Sequence, residues 1–289
     1  MMKTLNLIYI CSLRNAAADQ AGRMVEYKGE QRYMMSPLEH LVEQLNTTSL
    51  GKQYALKAVI FDDDLSHGPD QRKLQDYGLE RGTSKGPWIY PESLNIQGQP
   101  VDELLQNIPS SYRKTPLNSP ERVAGKKEFE AQLEAQLDAL EADVVLLDGL
   151  ILILDDLASA HSKYHNKIVN IHPGITRADS PYQRRGATAT LDALYGARGQ
   201  KVTNWATRET VSVPVIDKTG ASFHYIDQGI DSGPVITDVM NTHINPDDTI
   251  IEMRWNNFQQ SLFPAMINGL KLLAEQRLPK PVAVDAEPA

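Results

Sequence analysis

A single cysteine in 289 residues excludes an intramolecular disulfide framework and any zinc site built from several thiolates. That residue, Cys11, closes a short apolar run and reads as buried packing rather than as a reactive thiol. Long apolar runs are missing as well, since no stretch reaches the roughly 18 residues that a membrane-spanning helix needs. The opening MMKTLNLIYICSL holds one early lysine and a brief apolar segment but no A-x-A-like cleavage site. It reads as a first strand rather than a secretion signal, so the cytoplasm is the expected compartment. Positive charge is in short supply: 29 Lys and Arg against 37 Asp and Glu give a formal charge of -8, with no dominant basic patch. Nucleic acid and anionic membranes are therefore poor partners, and a small metabolite is the better expectation.

What remains is globular. Hydrophobic residues at 41% and charged residues at 23% are ordinary for a protein with a substantial core. The apolar runs at 5–10 (LNLIYI), 55–61 (ALKAVIF), 143–154 (DVVLLDGLILIL, broken by Gly149) and 166–172 (NKIVNIH) read as buried strands. Helical spacing appears at 36–45, capped by Ser36 and Pro37, at 126–142, at 185–199 and, as one long helix, at 247–276. Segments 221–227 and 233–244 read as a strand pair joined by the turn QGIDSG. Strands alternating with helices predict an α/β fold: a mostly parallel, Rossmann-like sheet covered by helices, with an antiparallel edge from the later pair. Residues 66–120 are rich in Pro and Gly punctuation, with a short helical piece at 101–108. They read as a loop-rich insertion on one domain spanning 1–278, with a flexible tail at 279–289.

The chemistry concentrates in 168-IVNIHPGI-175. Asn170 and His172 lie two apart at a strand end, so they face the same side, and Pro173-Gly174 stops the strand just beyond. Parallel strands open onto a ligand crevice at their carboxyl ends. A carboxamide and an imidazole converging there suit a reaction at a carbonyl: one holds the oxygen, the other supplies a proton or stabilises developing negative charge. The second motif, 224-HYIDQGIDSGPVI-236, offers an anionic partner in Asp231, set between Gly229 and Gly233.

N-I-H-P followed by H-x-x-D-x-G-x-D-x-G-P-V-I resembles the folate-dependent formyltransferase family, over roughly residues 143–250. The resemblance implies transfer of a formyl group from the co-substrate 10-formyltetrahydrofolate to an amine, with no metal. It makes Asn170, His172 and Asp231 the catalytic trio, with protonated His172 supported by Asp231. Ile151, Leu152, Ile153 and Leu154 would form one wall of a pterin pocket, largely through backbone. The loop from Asp227 through Gly229 to Asp231 would form the other. Leu152 stands where nucleotide-pathway relatives often carry Arg.

The acceptor is a separate question. Members that formylate glycinamide ribonucleotide cradle its phosphate in a Gly-rich loop after the first strand, and 11-CSLRNAAADQAGRMVEYKGE-30 has no glycine cluster there. Arg14 is a candidate clamp for a carboxylate, and Asp19 and Glu26 for an ammonium, which suits an amino-acid substrate. The front end together with the insertion resembles the N5-hydroxyornithine formyltransferases of pyoverdine-type siderophore biosynthesis. Glycinamide ribonucleotide, a sugar amine, or water in a formyltetrahydrofolate hydrolase are the alternatives. The remaining features read as structural: His224 as a packed strand residue, His161 and His165 as a surface pair, Asp62-Asp63-Asp64 as a solvated strand end, and Arg184-Arg185 as packing or surface charge.

Overall fold

The computed structural model describes residues 4–76 and 94–278. Strand β1 (Leu5–Cys11) leads through a short helix α1 (Leu13–Ala18) and a hairpin, β2 (Arg23–Tyr27) and β3 (Glu30–Met34), to α2 (Pro37–Thr47) and α3 (Leu50–Gln53). Next come β4 (Tyr54–Phe61), α4 (Gly68–Asp76), a small hairpin of β5 (Asn95–Ile96) and β6 (Gln99–Pro100), and β7 (Leu105–Asn107). The chain continues with α5 (Pro120–Ala139), β8 (Val144–Asp148), β9 (Ile168–His172) and α6 (Ala189–Ala197). A second hairpin, β10 (Gln200–Asn204) and β11 (Glu209–Ser212), precedes the long pair β12 (Lys218–Tyr225) and β13 (Val235–His243), then α7 (Ile250–Asn257) and α8 (Phe263–Arg277).

Seven strands form one sheet in the order β13-β12-β9-β8-β1-β4-β7. The five strands from β7 to β9 are parallel, and β12 runs antiparallel to both of its neighbours. This is the helix-covered sheet with an antiparallel edge that the alternation of elements predicts. Side chains alternate along β1: Leu7, Tyr9 and Cys11 join one core with residues of α2 and α8, while Ile8 and Ile10 join the other with α5. Both faces are covered, which is why these strands read as continuous apolar runs. The α2 start is fixed by a reciprocal cap, with the Ser36 hydroxyl accepting from Glu39 N and Glu39 accepting from Ser36 N.

Three expectations change. Residues 101–108 form a single 3-10 turn at Val101–Leu104 followed by β7, the last strand of the sheet, so part of the expected insertion is sheet rather than loop. The helix expected at 247–276 is two helices separated by a π turn at Phe258–Leu262. Pro264 has no N–H to donate and crowds the preceding turn, so the helix widens there and restarts with Pro264 in its first turn. Asp62, Asp63 and Asp64 are buried rather than solvated. Arg14 binds Asp62 through two nitrogens and Asp63 through one, Arg113 binds Asp70, and Lys114 binds Asp64. The network ties residues 110–114 to the end of β4. The tail expected at 279–289, and residues 77–93 of the insertion, lie outside the described residues.

Strand order reverses between β1 and β8, because the chain first adds β4 and β7 on one side and then returns to add β8 and β9 on the other. Doubly wound sheets bind ligands at such a switch point. Under it, Tyr9 Oη donates to Asp148 Oδ2 at 2.5 Å. Burial pushes the Asp148 carboxyl up to about 6, and the Tyr9 bond only partly opposes it. A carboxyl that holds its proton more tightly when folded costs stability as pH rises from about 4 through 6. Asp148→Asn is therefore expected to raise stability by about 2 kcal/mol at pH 8 and leave it unchanged at pH 4, read by denaturant titration.

Candidate active site

Two strand ends and one turn build the site. Asn170 and His172 project from the last residues of β9 on the same face. In the antiparallel register of β12 on β9, His224 lies directly opposite Asn170. Asp231 enters from the turn between β12 and β13. Its backbone is left-handed, with φ +47, a conformation that Asp tolerates better than most residues. The turn is shaped by Asp227, whose Oδ1 accepts from Gly229 N at 2.9 Å and from Ser232 Oγ at 2.7 Å. Gly233 closes it: a Cβ there would sit 1.9 Å from Tyr225 O, so only glycine allows the strand pair to close this tightly.

The carboxylate of Asp231 is the hub. Its Oδ1 accepts from Asn170 Nδ2 at 3.2 Å and lies 3.5 Å from His224 Nε2. Its Oδ2 accepts from Gly186 N at 2.8 Å and lies 3.3 Å from His172 Nδ1. Burial alone would raise the carboxyl, but the neighbouring His224 and His172, where they carry a proton towards it, and the Gly186 N–H hold it well below the usual carboxylate range. Asp231 is thus an anion at any physiological pH.

The two histidines have different tasks. His224 Nδ1 lies 2.8 Å from Tyr225 O, and a carbonyl only accepts, so that nitrogen carries the hydrogen. In the neutral ring Nε2 then presents a lone pair to Asn170 Nδ2 at 3.3 Å. Both hydrogens of the Asn170 amide are drawn to His224 and Asp231, and a substrate carbonyl reaching this corner competes for them. His172 Nε2 lies 3.0 Å from Arg184 O, which again requires a hydrogen on that nitrogen. Nδ1 faces Asp231 and also favours a hydrogen. Against this, burial pushes the imidazolium down, more than the Asp231 charge raises it, so the resting ring is neutral. Burial thus opposes a proton on His172, and the Asp231 anion favours one.

The trio opens onto a cavity of about 490 Å³, also lined by Ile151, Leu152, Ile153, Leu154, Asp227 and Gly229. The structure thus gathers the expected catalytic and folate-wall residues into one pocket. Leu150, Ile151, Leu152 and Ile153 belong to no helix or strand, and their backbone groups make no hydrogen bond to described residues. Unpaired N–H and C=O groups beside Leu and Ile side chains suit a flat heterocycle with donors and acceptors along its edge. The wall is held from behind by Glu130 of α5, only 2% exposed, which accepts from the N–H groups of Asp155, Asp156 and Leu157 at 2.8 to 3.0 Å. Gln228 Nε2 donates to Asp155 O at 3.1 Å and ties the two walls together. Replacing Glu130 with alanine leaves three N–H groups, the buried one of Leu157 among them, without their acceptor. The expected result is a loss of about 3 kcal/mol in stability and weaker folate binding, read by chemical denaturation and ligand titration.

The expected acceptor residues separate. Asp19 lines the cavity and forms an ion pair with Arg254 of α7, a residue that the sequence reading did not single out. Arg14 does not line the cavity: it is 6% exposed and bound to Asp62 and Asp63. Glu26 lies exposed on β2, away from the pocket. Arg184 contributes its carbonyl, and Arg185 donates to Thr176 O. Among the described residues, no group of three or more His, Cys, Asp or Glu side chains is arranged to hold a metal ion, and no helix is long and apolar enough to cross a membrane.

Comparison with known proteins adds four findings. Residues 96–267 match the formyl transferase family model. A solved structure, PvdF of pyoverdin biosynthesis, described as a structurally unique N10-formyltetrahydrofolate-dependent formyltransferase, is 56% identical and superposes with a TM-score of 0.88, covering 94% of this chain and 100% of that one. The phosphoribosylglycinamide formyltransferase of Bacillus subtilis (strain 168) is 27% identical over 186 residues, 63% of this chain and 82% of its own. The corresponding enzyme of Anaplasma phagocytophilum shares the fold at a TM-score of 0.52 and 17% identity, over 95% of this chain and 89% of that one.

Proposed function

We propose, from the premise that this chain belongs to the formyl transferase family, that it moves the formyl group of 10-formyltetrahydrofolate onto the side-chain nitrogen of N5-hydroxyornithine. The product would be N5-formyl-N5-hydroxyornithine for siderophore assembly in the cytoplasm. The observation that carries this reading is the likeness to PvdF over nearly the whole of both chains. The lack of a glycine cluster after β1 points the same way, because it removes the phosphate cradle that a ribonucleotide acceptor would use.

The pocket residues fit the co-substrate, with the backbone of Leu150 to Ile153 and the turn from Asp227 to Asp231 holding its heterocycle. The folate supplies the formyl carbon as the electrophile. A hydroxylamine nitrogen is less basic than an alkylamine and is neutral near pH 7, so the site needs no strong base to free its lone pair. As the nitrogen attacks, negative charge grows on the formyl oxygen. The Asn170 amide turns a hydrogen towards that oxygen, and this interaction is strongest when the charge is greatest. The acceptor nitrogen becomes acidic as it bonds to carbon. Asp231 accepts that proton or passes it to Nδ1 of His172, which is neutral at rest and faces it at 3.3 Å. An imidazolium formed at that moment stabilises the developing oxyanion and holds a proton for the departing folate nitrogen. His224 orients the Asn170 amide through its lone pair.

The reading is tested by tetrahydrofolate release from 10-formyltetrahydrofolate with N5-hydroxyornithine, ornithine or glycinamide ribonucleotide as acceptor. Release that depends on hydroxyornithine supports it. Preference for glycinamide ribonucleotide moves the enzyme to the nucleotide branch, and release without any acceptor makes it a hydrolase.

A further inference from the structure

We propose that Arg254 and Asp19 form a zwitterion clamp for the acceptor: Arg254 takes the carboxylate, and Asp19 the ammonium, of an α-amino acid head group. The inference rests on the proposed amino-acid acceptor and adds where its far end is held.

The argument begins with elimination. Of the described residues that line the cavity, Arg254 is the single Lys or Arg. The acids lining it are Asp19, Asp227 and Asp231. Asp227 is engaged in its own turn with Gly229 and Ser232, and Asp231 is the catalytic hub. Asp19 is left, and it meets Arg254 through Oδ1 and Nη1. Among the described residues, Nε and Nη2 of Arg254 and the second oxygen of Asp19 have no further partner. Each member of the pair therefore has capacity to bind an opposite charge without leaving the other. Burial lowers the Arg254 guanidinium to about 10, which leaves it charged at neutral pH.

The arrangement discriminates by charge. A phosphate or a poly-carboxylate tail placed on Arg254 would also meet the Asp19 anion, whereas an adjacent ammonium and carboxylate satisfy both. The pair is also held in place by the part of the chain that departs most from a Gly-rich front end. The β2–β3 hairpin packs on α7: Tyr27 Oη donates to Asn256 Oδ1 at 2.7 Å, Lys28 N to Glu252 Oε1 at 2.9 Å, and Trp255 Nε1 to Tyr33 O at 3.2 Å. The Arg32 guanidinium stacks over Tyr27 at 4.0 Å and Trp255 at 4.8 Å. On the other side, Asn15 donates to Gly149 O and anchors α1, after which Asp19 follows. The hairpin thus fixes the helix that carries the cation, and α1 delivers the anion.

The test compares N5-hydroxyornithine with its decarboxylated counterpart, N-hydroxy-1,4-diaminobutane, in steady-state kinetics. The wild type is expected to prefer the amino acid by about 10- to 100-fold in kcat/KM. Arg254→Gln is expected to raise KM for hydroxyornithine by a similar factor, to abolish the preference between the two acceptors, and to leave KM for 10-formyltetrahydrofolate unchanged. Arg254→Lys should recover part of the preference. Unchanged folate binding and circular dichroism show that the variants are folded. An Arg254→Gln enzyme with wild-type KM for hydroxyornithine, a rise confined to the folate KM, or a wild type indifferent to the carboxylate each overturns the clamp alone. A wild type that formylates neither compound overturns the functional reading, and the clamp with it.

Discussion

Replacing His172 with alanine is expected to lower kcat/KM about 10³-fold while the protein stays folded and still binds 10-formyltetrahydrofolate. The loss has two sources. The imidazole faces Asp231 at 3.3 Å, placed to take a proton from it, while its other nitrogen is fixed on the Arg184 carbonyl. It also supplies positive charge at the moment the formyl oxygen becomes anionic, and in a buried site that charge is weakly screened. The proposed folate walls at 150–154 and 227–231 do not depend on the ring, so binding should survive. Single-turnover kinetics and folate titration check the two halves separately, and a variant with near wild-type turnover removes His172 from the chemistry.

Asp231→Asn should cost a further large factor, about 10² to 10⁴ in kcat, for a different reason. Asparagine tolerates the left-handed backbone at φ +47, so the turn is kept and the effect is electrostatic rather than structural. The amide cannot accept a proton and withdraws the charge that opposes burial at His172. The His172 imidazolium should therefore become still less stable, and its titration, followed by NMR, should move to lower pH in the variant. A second consequence has a fixed sign. The Asp231 carboxyl is depressed in the folded protein, so it contributes stability above the ordinary carboxylate range and loses it as pH falls through that range. Wild type and Asp231→Asn should differ in stability at pH 7 and converge on acidification.

How much of this was legible in the sequence varies by element. Strands β1, β4, β8 and β9 were plain because both sheet faces are covered and most of their positions are apolar. The α2 start was plain because Ser36 and Pro37 stand in the right order, and the structure adds Glu39 to the cap. The two hairpins at 23–34 and 200–212 were not, since their strands bury few side chains and most of their positions are polar or charged. Asn170, His172 and Asp231 were readable from two motifs. His224 was harder to weigh, because its place opposite Asn170 is a matter of strand register, which its own segment does not reveal. The acidic run at 62–64 misled because its partners, Arg14, Arg113 and Lys114, lie about 50 residues away on either side. Arg254 was masked by its neighbours: in a helix segment rich in apolar residues, one cation looks like a solvated edge until the fold turns it into the cavity.

The central claim is that the trio delivers formyl to a hydroxylamine nitrogen and not to water. The most direct measurement supplies 10-formyltetrahydrofolate labelled in the formyl carbon, together with N5-hydroxyornithine, and follows the label by mass spectrometry. The account predicts one labelled N5-formyl-N5-hydroxyornithine for each tetrahydrofolate released, with the yield abolished in His172→Ala. Label recovered as formate, at a rate independent of the acceptor, would contradict it.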